Sequence, residues 1–147
     1  WSGLGYYARA RNLHALACRV TSDGGALPAD PAALRALPGV GAYTAGAVAS
    51  FAYAVRAPLV DTNVARVLRR AFAPDADPKT GPGMKRLWQV AEAILPRTGR
   101  ATWTHNQALM ELGALVCTAR VRHCGRCVVR PLCATYAADP PRPREVR

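Results

Sequence analysis

The chain has 147 residues, long enough for one domain that buries roughly 70% of the surface its unfolded form exposes. Half of the residues are hydrophobic, no apolar run approaches the ~20 residues of a membrane span, and no basic segment followed by an apolar stretch forms a secretion signal; a soluble protein of a reducing cytoplasm is expected. Twenty Lys and Arg against nine Asp and Glu give a net charge of +11 and a pI near 10.3, an excess that favours a polyanion such as nucleic acid through counterion release.

In chain order, Leu13, Leu16 and Ala17 recur at helical spacing among Ala and Arg, predicting an amphipathic helix over Tyr7–Val20 with these residues inward and a basic outer face. Asp23-Gly24-Gly25 stops it. Asp30-Pro31 supplies an N-cap and a proline at the first helical position for a short helix that ends at Pro38. Pro38-Gly39-Val40-Gly41 reads as a tight turn into a helix of small residues over Ala42–Tyr53, suited to close packing. Asp61 is expected to cap a helix over Val64–Phe72. The Pro- and Gly-rich stretch 74–83 reads as a surface loop before a helix over Leu87–Leu95, with Leu87, Val90, Ala91, Ile94 and Leu95 inward, and another helix is expected over His105–Val116. No β-alternation persists, so the expected fold is all-α. Beyond Tyr136 the basic, Pro- and Arg-rich tail 137–147 is expected to be disordered.

Three features carry chemistry. Cys117, Cys124, Cys127 and Cys133 follow a C-x6-C-x2-C-x5-C spacing, close enough for one loop to surround a metal centre with four thiolates. Tetrahedral zinc and a [4Fe-4S] cluster both take four soft ligands, although zinc sites more often use two C-x2-C pairs. Cys18 reads as a core residue of its helix. Arg120, Arg122, Arg126 and Arg130 surround the cysteines and would turn cations outward toward phosphates. The second feature is the Gly39/Gly41 turn, where bare amides at a helix start can meet an anion. The third is Asp61, which by default is only a capping carboxylate.

The order Leu37-Pro38-Gly39-Val40-Gly41, then Asp61, then the four cysteines, resembles the helix-hairpin-helix DNA glycosylase superfamily, in both its endonuclease III and MutY branches. Two features favour the MutY-type adenine glycosylases. The opening Trp1-Ser2-Gly3-Leu4-Gly5-Tyr6-Tyr7-Ala8-Arg9-Ala10-Arg11-Asn12-Leu13-His14 is similar to the block W-x-G-L-G-Y-Y-x-R-x-R-N-L-H of that group, and Tyr43 stands where endonuclease III relatives carry a Schiff-base lysine. Asn106 to Ala114 is likewise similar to that group.

The resemblance implies a helix-hairpin-helix fold over residues 1–136, as part of a longer domain, with the hairpin at 31–53 and a [4Fe-4S] cluster on the loop 117–133. It implies a substrate of double-stranded DNA with adenine opposite 8-oxoguanine or guanine, and hydrolysis of the N-glycosidic bond of the flipped adenine. By that resemblance Asp61 stabilises the oxocarbenium-like sugar, Asn63 and Tyr43 support it, and Tyr6 wedges into the base stack. Pro38, Gly39, Val40 and Gly41, with Arg120, Arg122 and Arg126, meet the phosphates. The glutamate that protonates adenine in that group is expected upstream of Trp1, so no role passes to Glu92, Glu111 or Glu145. The expected protein is a monomer on bacterial nucleoid DNA. Alternatives are an endonuclease III-like glycosylase, a non-catalytic DNA-binding iron-sulfur module, and a zinc-ribbon-like interaction protein.

Overall fold

Helix α4, Thr62–Phe72, organises the core because its apolar residues fall on one face: Val64, Ala65, Val67, Leu68 and Ala71 are all buried. A computed structural model describes residues 1–140 and shows no strand among them, only an isolated bridge between Cys117 and Arg122. The other longer elements are α1 (Tyr7–Ser22), α2 (Pro31–Arg35), α3 (Ala42–Tyr53), α5 (Gly81–Ala93) and α6 (Gly99–Glu111); α5 and α6 pack on α4, α3 packs on α6, and α2 on α3. From α6 the chain continues as a π-helical turn, Leu112–Val116. It then passes through 3-10 turns at Cys124–Arg126 and Arg130–Leu132 to α7 (Ala134–Ala138).

Leu59, Val60, Leu87, Val90, Ala91 and Leu109 close the main core on α4. Burying a leucine such as Leu59, Leu68 or Leu87 stabilises by roughly 1.5–3 kcal/mol relative to exposing it. A second cluster, Leu34, Ala45, Ala49 and Ala57, joins α2 to α3. The small residues of α3 permit a close approach there: a Cβ on Gly46 would lie 2.0 Å from the carbonyl oxygen of Pro58. Asn106 on α6 is 1% exposed and donates to Ser50 Oγ (3.1 Å) and to the carbonyl of Ala57 (3.0 Å), so two otherwise orphaned acceptors fix α6 against α3.

The expected caps form. Asp30 accepts from the Ala33 amide at 2.8 Å, and α3 spans the residues its composition predicts. Three differences have identifiable causes. Helix α5 starts at Gly81 rather than Leu87, because Thr80 Oγ1 accepts from the Gly83 amide (3.1 Å) and Pro82 lies in the first turn, where a missing N–H costs nothing. Helix α6 likewise starts at Gly99, capped by Thr98. Helix α1 forms as predicted, but none of its residues is buried: Leu13 is 58% exposed and Cys18, expected in a core, is exposed as well. Spacing showed an apolar stripe on α1 and could not show what covers it. The expected disordered tail begins inside α7, and its last residues, 141–147, lie outside the described residues.

Candidate active site and cysteine loop

The hairpin and the carboxylate meet through the first turn of α3. Gly39 adopts a φ of 74°, a left-handed conformation that glycine adopts freely, and a Cβ there would lie 2.6 Å from Cβ of Asn12 on α1. Gly41 is the N-cap of α3 and brings no side chain to its amides, so the start of this helix stays available to an anion. Two residues further on, Tyr43 turns into an open pocket of about 720 Å3 shared with Asp61, Thr62, Arg66, Arg69, Arg70 and Lys79.

Asp61 is half-buried at the N-cap of α4. Its Oδ1 accepts from the Val64 amide at 2.7 Å, and its Oδ2 receives the Asn63 side-chain amide at 3.3 Å. The carboxylate is thus fixed by the cap and oriented from one side by Asn63. Asn63 is held in turn: its Oδ1 accepts from Arg66 Nη2 at 2.8 Å, and the same guanidinium donates to the carbonyls of Gly113 (2.6 Å) and Cys117 (2.8 Å). Gly113 is buried, and a Cβ on it would lie 2.8 Å from Cβ of Asn63, so only glycine lets the π-helical turn come this close.

One turn further along α4, Arg70 Nη1 donates to the carbonyl of Thr118 (2.7 Å), to that of Cys117 (3.3 Å) and to Cys117 Sγ (3.3 Å), while the Cys133 thiol reaches the Arg70 carbonyl at 3.4 Å. Helix α4 therefore carries the carboxylate at its start and grips the cysteine loop near its end.

Cys117, Cys124, Cys127 and Cys133 are half-buried free thiols that line one cavity, with Val67, Ala71, Leu112, Val116 and Val129 in its wall. Burial pushes the Cys124 thiol above its ordinary range, Arg122 opposes that shift, and the other three thiols add to it. Among the described residues no three His, Cys, Asp or Glu converge closely enough to hold a single metal ion.

The loop arginines divide. Arg120 and Arg126 are exposed, as expected of outward cations. Arg122 is not: it lines the cysteine cavity and pairs with Asp139 Oδ2 at 3.3 Å, with its side chain 24% exposed. Its backbone forms the isolated bridge to Cys117, so the described contacts of Arg122 brace the loop. Tyr6 is 78% exposed at the N-terminus of α1 and lines neither pocket. Neither Arg66 nor Arg70 stood out in the sequence, although the spacing 63, 66, 70 places them on one face with Asn63.

The chain is similar to proteins named adenine DNA glycosylase: 44% identical over 135 residues to that of Homo sapiens, covering 90% of this chain and 24% of the relative. It is 48% identical over 128 residues to that of Mycolicibacterium smegmatis, covering 86% and 42%. The corresponding figures for Mycobacterium tuberculosis are 45% over 142 residues, 96% and 46%. The chain thus spans less than half the length of these relatives. Among solved structures it is similar to a thermostable thymine-DNA glycosylase (TM-score 0.77, 36% identity, 88% of this chain and 59% of that chain). It is also similar to endonuclease III in a non-covalent complex with DNA (TM-score 0.70, 31% identity, 92% and 61%). Residues 1–93 match the family described as HhH-GPD superfamily base excision DNA repair protein, and with the hairpin, the capping aspartate and the all-helical fold on either side of them, the chain belongs to that family.

Proposed function

We propose that this chain is the core of an adenine DNA glycosylase that removes adenine opposite 8-oxoguanine or guanine from double-stranded DNA. The observation that carries the reading is the Asp61 carboxylate, held by the Val64 amide and Asn63 in an open pocket beside Tyr43. As the bond to the base breaks, positive charge grows on the sugar, and a fixed carboxylate stabilises it without reorganising. Tyr43 puts a phenol where the endonuclease III branch carries its Schiff-base lysine, which supports hydrolysis; the amine in this pocket is that of Lys79, on a separate loop.

Neither Glu92, paired with Arg56, nor Glu111, which accepts from Gln107, lines the pocket; Glu145 lies outside the described residues. The proton for the leaving base is assigned to none of them. Tyr6 is exposed enough to enter a base stack, and the hairpin amides with Arg120 and Arg126 would meet phosphates.

The four thiols line one cavity and together supply the four soft ligands a [4Fe-4S] cluster takes, one thiolate to each iron. When bound, the cluster would tie down a loop with little apolar content of its own.

The test separates charge from capping. Asn caps a helix about as well as Asp, so Asp61→Asn should melt within a degree or two of the wild type. Its single-turnover excision from a duplex with adenine opposite 8-oxoguanine, measured in the protein that carries this chain, should fall by about 10²–10³. Unchanged excision would return Asp61 to a capping role.

A further inference from the structure

Four cations line the pocket that holds Asp61, and two are already committed. Arg66 is bound to Asn63, Gly113 and Cys117, and Arg70 to Cys117 and Thr118. Arg69 and Lys79 are different. Both are exposed, both line the pocket, and neither side chain has a hydrogen bond or an acidic partner among the described residues; the only carboxylate in the lining is that of Asp61. Lys79 is nevertheless anchored, since its backbone N–H donates to Asp77 Oδ1 at 2.9 Å and it follows Pro78, so its side chain leaves the loop from a fixed point. Arg69 leaves a rigid helix. Two ordered stems therefore bring two unpaired cations to the same pocket as one carboxylate.

A nucleotide whose sugar rests against Asp61 carries phosphodiesters on both sides of that sugar, and a carboxylate alone would repel them. We infer that Arg69 and Lys79 together seat a backbone phosphate adjoining the extruded nucleotide, offsetting that repulsion and fixing the sugar's height in the pocket. This inference rests on the function proposed above and adds a specific anion seat to it. Arginine would present a planar fork to two phosphate oxygens, and lysine a mobile point charge to a third.

The test uses the iron-loaded chain and duplex DNA with adenine opposite 8-oxoguanine, followed by fluorescence anisotropy over 50 to 200 mM salt. The double variant Arg69→Gln/Lys79→Gln should bind more weakly, with a log-log salt slope shallower by about 0.9, the value for one phosphate contact. Lys85→Gln, in a separate groove with Arg35 and Trp88, serves as the control for general charge loss and should leave the slope unchanged. In a second arm, one phosphate flanking the adenosine is replaced by a neutral methylphosphonate. The replacement on one side should weaken binding by the wild type and have no further effect on the double variant. A slope unchanged in the double variant, or a methylphosphonate penalty that persists in it on both sides, would overturn the phosphate seat. Wild-type protein whose binding does not respond to salt at all would instead overturn the nucleic-acid reading beneath it.

Discussion

Replacing Arg66 with Met removes the single side chain that connects Asn63 to the cysteine loop. Three hydrogen bonds disappear, to Asn63 Oδ1, Gly113 O and Cys117 O, all partly shielded from solvent. Bonds from a charged donor are worth about 1.5–3 kcal/mol each. Water can reach some of the abandoned acceptors and the methionine retains part of the packing, so the net cost should be nearer 3 kcal/mol in total. For a domain of this size each kcal/mol moves the melting temperature by about 2–4 °C, giving a fall of roughly 6–12 °C. The functional effect follows from Asn63: released from Arg66, its amide no longer steadies the Asp61 carboxylate, and single-turnover excision should drop by at least about tenfold, equivalent to roughly 1.4 kcal/mol. Circular dichroism melts, absorbance near 400 nm for the proposed iron centre and the excision assay should therefore all respond. Arg66→Lys keeps the charge without the fork and should recover only part of each. A Met variant that melts within 2 °C of the wild type, keeps its iron and excises adenine at the normal rate would refute the idea that α4 transmits the position of the cysteine loop to Asp61.

Two further outcomes are expected. Cys124→Ser should lose iron and DNA affinity together, whereas Cys18→Ser, altering an exposed thiol far along the sequence from the other four, should retain both; iron and labile-sulfide analysis decides, and loss of iron from the Cys18 variant would contradict the ligand set. Among the described residues the buried Nε2 of His105 meets no hydrogen-bond partner, and burial lowers its pKa below the usual value of 6.5. Because the folded pKa is the depressed one, its contribution to stability is complete above about pH 6.5 and is lost as pH falls from there through the folded value. Denaturant melts at pH 7.5 and 5.5 should show a smaller acid loss in His105→Asn than in the wild type, and equal losses would remove His105 from the account.

The parts legible in the sequence were those governed by local rules. Asp30 and Asp61 advertise their caps through spacing to an apolar run, and α3 declares its bounds by Gly41 before it and by its small residues within. The starts of α5 and α6 were hidden because Gly81, Pro82, Gly83 and Gly99 look like breakers, although Thr80 and Thr98 cap the two helices and Gly83 and Gly99 sit at close approaches. A Cβ on Gly83 would meet the Asp77 carbonyl at 2.0 Å and one on Gly99 the Ala54 carbonyl at 1.4 Å, and these contacts connect residues that no periodicity joins. At the site, Asp61, Tyr43 and Asn63 were identified by resemblance; Asp61 and Tyr43 line one pocket, and Asn63 reaches it only through its hydrogen bond to Asp61. Arg122 was read as another outward cation because composition does not reveal that Asp139 waits for it across the loop. Arg66 and Arg70 escaped notice for the opposite reason: an arginine on a helix is ordinarily a solvated one, and only the fold shows backbone carbonyls from fifty residues away converging on both.

The first turn of α3 sets a ruler. Gly41 and Tyr43 are two residues apart on a rigid helix, and each residue of an α-helix advances about 1.5 Å and turns about 100°. The span between the backbone amides and the phenol is therefore quantised: one residue inserted or deleted between them would swing Tyr43 by about 100°, from the pocket of Asp61 toward a different face of the helix. This two-step interval admits substitution but not a change of length.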